Sequence, residues 1–347
     1  MGATGTESRA AFRRAASWGT PSAAGANDGL LVLPHTLKKE RPVLPDDSLG
    51  ICFQTDAADG GIKVEGDIPA YLRYDSLDLL LALAMGQTAG TPVQQGAAEA
   101  YLQSLKLKEN TDGLFGTFCV SNGVNIDEYG SVKITGFTIK GEAGKPVEIS
   151  FHSVANDRTT NSALNTTASF AAVSLFEKAN RVLFSQGVFR LNPQADAALA
   201  DPDKIYPSAF ELSFKRKMKG IYGAGAQADR VDEPSNDGQP DIRLKLTFPR
   251  YTQAAKGYFE DWDTQRNKKM DAVFTGAQIA APYNRFMRLQ LPNLKFSQVE
   301  LPMERGILKS PVEFVCLGCD TAPAGMAGIT MPFQIDLMNR QGTDVLG

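Results

Sequence analysis

From residue 30 onward, apolar and polar residues alternate in short runs, broken by clusters of Gly, Pro, Asn and Asp. The cleanest alternation is at 242–248. Ile242, Leu244, Leu246 and Phe248 share one face, and Arg243, Lys245 and Thr247 share the other. That is the pattern of a half-buried antiparallel strand. At 132–140 the alternation is looser, with Ile134, Gly136 and Thr138 on one face and Lys133, Thr135, Phe137 and Ile139 on the other. Further strands are expected at 30–33, 51–55, 61–65, 101–108, 114–120, 147–151, 181–191, 210–215, 286–291, 294–299 and 311–317. Two segments carry helical spacing instead. Asp75 or Ser76 caps a helix at 77–85, with Leu77, Leu80, Leu81 and Ala84 on one face and Gly86 at its end. Thr252 begins a second, with Ala255, Tyr258, Phe259 and Trp262 on one face. Each one-sided stripe is expected to cover a sheet. The fold class is therefore mainly β.

The order of elements repeats. Ile68-Pro69-Ala70-Tyr71 precedes the first helix and Phe248-Pro249-Arg250-Tyr251 the second. Pro146-Val147-Glu148-Ile149 then resembles Pro311-Val312-Glu313-Phe314, each after a long strand or strand pair. Strand, Pro-x-Tyr, helix, long hairpin and Pro-Val-Glu strand occur in that order twice, which points to an internal duplication. The expected organisation is an N-terminal arm (1–29), a first domain (30–175) and a second (176–347). Eighteen of the first 28 residues are Gly, Ala, Ser or Thr, so this arm reads as mobile or extended. Its aromatic residues Phe12 and Trp18 need a surface to dock on. On this reading the arm orders only in an assembly, and a subunit lacking residues 2–28 folds but assembles poorly.

Composition narrows the function. The chain has 347 residues, 43% of them hydrophobic and 22% charged, with a net charge of -3. These values fit a two-domain globular protein and exclude wholesale disorder or a chain-wide basic footprint for nucleic acid. Residues 30–175 carry 11 basic and 17 acidic side chains, and residues 176–347 carry 22 and 20. An acidic first domain is thus able to pack beside a more basic second one. No apolar run approaches the roughly 20 residues of a membrane span, and no apolar stretch follows Arg9, Arg13 and Arg14 as a signal peptide requires. Cys52, Cys119, Cys316 and Cys319 suit a reducing cytosol. The two histidines, His35 and His152, are few for acid–base or metal chemistry.

No motif carries a reaction. Cys316-Leu317-Gly318-Cys319 is a CxxC, but zinc needs a second pair or suitably spaced histidines, and a strand leading into a turn reads as a strand end. Gly223-Ala224-Gly225-Ala226-Gln227-Ala228 matches GxGxxA only superficially, because a polar loop follows it instead of a helix. Lys215, Arg216, Lys217 and Lys219 read as a solvated strand edge guarded by cations, with an acidic neighbour as the alternative. Asp46-Asp47 and Glu260-Asp261 are paired in sequence alone. The expectation is no catalytic residue, no cofactor and no metal site.

Several strings carry a family resemblance: 111–123 (TDGLFGTFCVSNG), 131–151 (SVKITGFTIKGEAGKPVEISF), 181–192 (RVLFSQGVFRLN), 244–263 (LKLTFPRYTQAAKGYFEDWD) and 321–339 (TAPAGMAGITMPFQIDLMN). In this order they resemble major tail tube proteins of long-tailed bacteriophages, of the duplicated two-domain type. The resemblance implies two β-sandwich or split-barrel domains, each flanked by a helix, with long hairpins joining an inter-subunit β-barrel. It implies a virion tail protein, made in the host cytoplasm, whose rings stack into a tube that conducts viral DNA during ejection. Partners implied are further copies in trimeric, pseudo-hexameric rings, the tail-tip and tail-terminator proteins, and a tape measure. DNA would pass without sequence-specific binding, and no membrane insertion is implied. A two-domain adhesin-like or decoration module is the alternative. A tube wall that does not hold DNA should be neutral to acidic. The candidate lining hairpins are 113–140, with Asp127, Glu128, Lys133 and Lys140, and 270–299, with Asp271, Arg285, Arg288 and Lys295. Arg285, Arg288 and Lys295 are therefore expected to face an outer layer or a carboxylate.

Overall fold

The computed structural model describes residues 8–48, 53, 56–175, 180–224, 229–251, 253–299 and 308–347, and only the backbone of 253–256. Apart from Phe53, the expected strand at 51–55 with Cys52 lies outside the described residues, as do the cap Thr252, the side chain of Ala255 and residues 225–228 of the glycine-rich string.

The first half of the chain contains β1 (Arg9–Arg14), β2 (Gly29–Leu30), β3 (Lys38–Glu40), β4 (Val43–Pro45), β5 (Ala57–Asp59) and β6 (Lys63–Tyr71). Helix α1 (Asp78–Met85), β7 (Gly86–Thr88), β8 (Val93–Gln94), β9 (Tyr101–Leu107), β10 (Gly116–Ser121), β11 (Ile126–Glu142), β12 (Glu148–Thr160) and the short helix α2 (Thr167–Ala171) follow. The second half contains β13 (Gly187–Pro193), β14 (Lys204–Ile205), β15 (Ala209–Lys215), β16 (Met218–Lys219), β17 (Ser235–Asn236) and β18 (Asp241–Phe248). Helix α3 (Gln253–Asp263), β19 (Lys268–Ala280), β20 (Tyr283–Val299), β21 (Ser310–Leu317) and β22 (Gln334–Asn339) complete it. The expected 286–291 and 294–299 are one strand, β20. Of the expected 30–33 strand, only Leu30 is paired, in β2.

One antiparallel sheet runs β6–β12–β11–β15–β18–β21–β20. A single row of facing residues crosses it: Ala70, Ile149, Ile139, Leu212, Leu244, Phe314 and Phe296. All seven are buried, because alternate positions on every strand point to one core. Phe137 sits at the centre of this core, with ring contacts to Phe151, Phe214 and Phe333. The seam between β11 and β15 demands a glycine: a Cβ on Gly136 would lie 2.1 Å from the Phe214 carbonyl oxygen.

The pairing order recurs. In the first half β6 pairs with β12, β12 with β11, β11 with β10 and β10 with β1. In the second, β18 pairs with β21, β21 with β20, β20 with β19 and β19 with β13. A small hairpin, β4–β5 or β16–β17, precedes β6 or β18, and a helix follows. Pro146 and Pro311 occupy the same step, each three residues before its row residue. The Pro-x-Tyr strings do not, since Pro69 lies just before Ala70 within β6, whereas Pro249 follows the end of β18.

The arm is the clearest departure from expectation. Arg9–Arg14 is not a mobile tail; it is β1, the counterpart of β13, hydrogen-bonded along β10 within the subunit. Phe12 is buried against Phe118, and the Trp18 indole stands edge-on to Phe115 and donates to the Val231 carbonyl at 3.0 Å. Residues 19–24 then lie over β10 and β11 through hydrogen bonds to Ser131, Thr117 and Asn165. Beneath them, Ala11, Cys119, Ile126, Phe170 and Val173 form a second, small core. Alanine and glycine here reflect close packing, which composition alone does not distinguish from mobility.

The halves also interlock. β15 pairs along β11 across the expected 175/176 boundary, and β9 of the first half pairs with β22 of the second. Charge across the junction runs both ways: Asp75 meets Arg285 and Asp157 meets Arg230, but Lys133 meets Glu233. Helix α1 is buried nearly all round, not along one stripe, and neither Asp75 nor Ser76 caps it; Leu77 holds that position without a side-chain bond. Gly86 ends it in the left-handed conformation, as expected (φ 93°). Tyr258, Phe259 and Trp262 of α3 pack against the main core.

Candidate assembly surface

The face of the seven-stranded sheet opposite the core is polar. Along the row next to the apolar one lie Glu148, Lys140, Glu211, Lys245 and Glu313, on β12, β11, β15, β18 and β21. Their signs alternate from strand to strand. Lys140 is 3.4 Å from Glu211, and Lys245 is 3.0 Å from Glu313. On the same face Lys38 meets Glu40 at 2.5 Å, Lys63 meets Glu65 at 2.9 Å and Arg243 meets Asp241 at 3.0 Å. Pairs this exposed contribute little to stability. Their effect is on the field, because each cation has a carboxylate beside it. Glu142 is paired with Lys145 at 2.7 Å, and the remaining charges of the face are Lys215 and Lys295 against Asp67 and Glu148, so the whole face is close to neutral.

His152 also lies on this face. Its Nδ1 is 2.7 Å from Asp67 and its Nε2 is 3.0 Å from the Thr138 hydroxyl, a polar row across β6, β12 and β11. No spacing in the chain announces it, because the three residues meet only once the strands pair. His35 is instead packed between the rings of Phe118 and Tyr129, where burial lowers its pKa.

The expected lining segments fare differently. The end of β11 nearest β15 lies on the polar face. Its beginning does not, because residues 19–24 cover it. Lys133 there is buried and bonded to Glu233 and to the Thr111 carbonyl (2.7 Å). Arg285 is buried on Asp75 at 2.9 Å, and Arg288 meets Asp271 at 3.2 Å. Arg190 approaches the same carboxyl at 3.6 Å, and burial raises the Asp271 pKa against the pull of both cations. Two of the three named cations thus meet carboxylates, while Lys295 is exposed on the polar face.

The basic run is not a uniform solvated edge. Lys215, Lys217 and Lys219 are exposed, but Arg216 is buried and donates to the carbonyls of Ala84 (3.2 Å), Met85 (3.0 Å) and Glu109 (3.3 Å). It closes the C-terminus of α1, where a cation is favoured. Cys316 is buried at the end of β21, its thiol pKa pushed up by burial, and Cys319 lies in the turn beyond, 3.6 Å from the Ile329 carbonyl. Asp46 is an exposed loop residue bonded to Ser48, and Asp261 holds Lys268 at 2.5 Å.

Hairpin β4–β5 is exposed at every residue. Val43 and Leu44, with Phe53 in the connection, are 65%, 52% and 83% accessible. A two-stranded hairpin with no covered face is marginal on its own in water.

Among the described residues no helix is long and apolar enough to cross a membrane, and no curated protein matches the chain significantly. A family model described as phage tail tube protein matches residues 5–315, so the chain belongs to the phage tail tube protein family and is a structural component of the virion tail.

Proposed function

We propose that three copies of this chain form a ring with six equivalent positions, and that the rings stack into a hollow tube through which DNA leaves the virion. The observation that carries this reading is the continuous sheet with a buried apolar face and a charge-balanced polar face, built from two modules of the same pairing order. Two modules per chain, described as domains 30–175 and 176–347 with β1 belonging to the first, supply two ring positions each. Closing such sheets between copies removes open edges. The polar face lines the bore. Its paired cations offer DNA phosphates few free charges, so the counterion release that arrests a duplex on a basic wall is small. The role is structural and not enzymatic. The exposed β4–β5 hairpin is suited to axial contact between rings, and the tube ends meet tail-tip, terminator and tape-measure components.

Electron microscopy of the purified protein tests this directly: rings with pseudo-sixfold symmetry, or tubes, are expected, and persistent monomers at high concentration refute it. DNA conduction is tested in virions carrying Glu142→Lys and Glu148→Lys. Ejection should slow and become strongly salt-dependent; an unchanged rate refutes the assignment of this face to the bore.

A further inference from the structure

We infer that the ring closes by a backbone ladder between β20 of one copy and residues 31–36 of the next, in the register with Phe296 opposite Val32. This rests on the tube reading above and specifies which edges meet.

The template is inside the chain. Where the first module meets the second, the end of β11 pairs with β15, with Ile139 opposite Leu212. β15 in turn lies along β18. The counterpart of β11 in the second module is β20, since each lies beside the Pro-Val-Glu strand and beside the first arm of its long hairpin. Ile139 and Phe296 are the residues of the buried row on these two strands.

The counterpart of β15 in the first module is the stretch leading into β3. It runs along β6 as β15 runs along β18: the Leu33 N–H donates to the Pro69 carbonyl at 2.8 Å and the Thr36 N–H to the Asp67 carbonyl at 3.0 Å, and Lys38 then faces Glu65. The register shifts by one between these two bonds, so Leu33 lies opposite Pro69 and Val32 is set beside Ala70, at the end of the row, packed against the main core. The row reads Val32, Ala70, Ile149, Ile139 and then Leu212, Leu244, Phe314, Phe296. Its fourth and fifth members already meet across a module junction, and the eighth meeting the next copy's first repeats that junction.

Both edges have room for this. The β19 ladder stops at Lys268 opposite Leu294, and among the described residues no strand continues it along the same edge of β20. Residues 31–33 are only half-buried although Leu, Val and Leu are apolar, and Pro34, which has no N–H to leave unpaired, is exposed. No charged residue lies in 31–36, so a ladder there brings no like charges together.

The test is cross-linking in assembled tubes. Lys295→Cys and Leu33→Cys, directly opposite in this register, are placed together in a chain with Cys52→Ser and Cys319→Ser. Facing residues on antiparallel strands lie about 4.5–5.5 Å apart, within disulfide reach. Thr138→Cys with Ser213→Cys is the in-chain control. Oxidised tubes should give covalent trimers on a denaturing gel, and Lys295→Cys with Thr36→Cys should give several-fold fewer. Monomers from tubes that microscopy shows intact overturn the pairing and leave the tube reading standing. Products that run past the trimer overturn closure by three copies. Hydrogen exchange needs no variant: amides of 31–36 should slow at least tenfold between subunit and tube, and unchanged exchange overturns the ladder.

Discussion

Arg216→Met isolates the link between β15 and the end of α1. The side chain is 8% exposed and its guanidinium reaches three carbonyls at 3.0–3.3 Å. Hydrogen bonds from a charged group contribute about 1.5–3 kcal/mol each, so three contacts, none of them short, give about 5 kcal/mol. Burying the charge opposes this. Burial lowers the Arg216 pKa from 12.5 to about 10, which corresponds to a cost of about 3 kcal/mol. Methionine keeps most of the apolar stem and removes both effects. The expected net loss is about 2 kcal/mol, seen as a lower urea midpoint with unchanged slope for the unassembled subunit. Arg216→Lys should lie between the two, because an ammonium keeps the charge but not the fork that spans several carbonyls. If Arg216→Met is as stable as the parent, desolvation outweighs the bonds and the helix-closing role is refuted.

Burial raises the Asp78 pKa to about 6, against the hydrogen bond donated by Asn339. The folded state therefore binds the proton more tightly than the unfolded one, and this group's contribution falls as pH rises from about 4 to above 6, by about 3 kcal/mol in all. Asp78→Asn should flatten stability over that interval, and equal pH profiles in parent and variant would contradict the assignment. Phe12→Ala should cost about 3–5 kcal/mol in chemical denaturation, and removal of residues 2–28 should leave an unstable subunit; a well-folded truncated subunit would show β1 to be dispensable. Leu44→Ser with Phe53→Ser should leave the subunit's melting temperature unchanged but raise the concentration needed for tube growth at least several-fold, as followed by light scattering.

Strands with strict alternation were legible in the sequence, because one covered face imposes a period of two; 242–248 is the best case. Gly86 was legible as a helix end for an equally local reason. What failed was whatever depends on partners distant in the chain. The arm's small residues look alike whether they are solvated or packed under a second layer. Arg216 looks like its basic neighbours until α1 is placed beside it. The His152–Asp67–Thr138 row and the alternating charges from Glu148 to Glu313 exist only after the strands pair. The recurring pairing order was visible in the order of elements, yet one of the two strings that suggested it, Pro-x-Tyr, is not structurally equivalent in the two halves.

The exchange of strands between halves has a kinetic consequence. β9 finds its partner β22 roughly 230 residues further along the chain, and β1 finds β10 roughly 110 residues on. Contacts of such separation slow folding, because a long loop must close before they form. Until Gln334–Asn339 is available, the β9 edge opposite β7 and β8 is a template for any stray strand. A fragment spanning the first half alone would therefore collapse and aggregate instead of behaving as an independent domain. In synthesis, the first module reaches its final form only when the second has been made, which ties the capacity to assemble to possession of both.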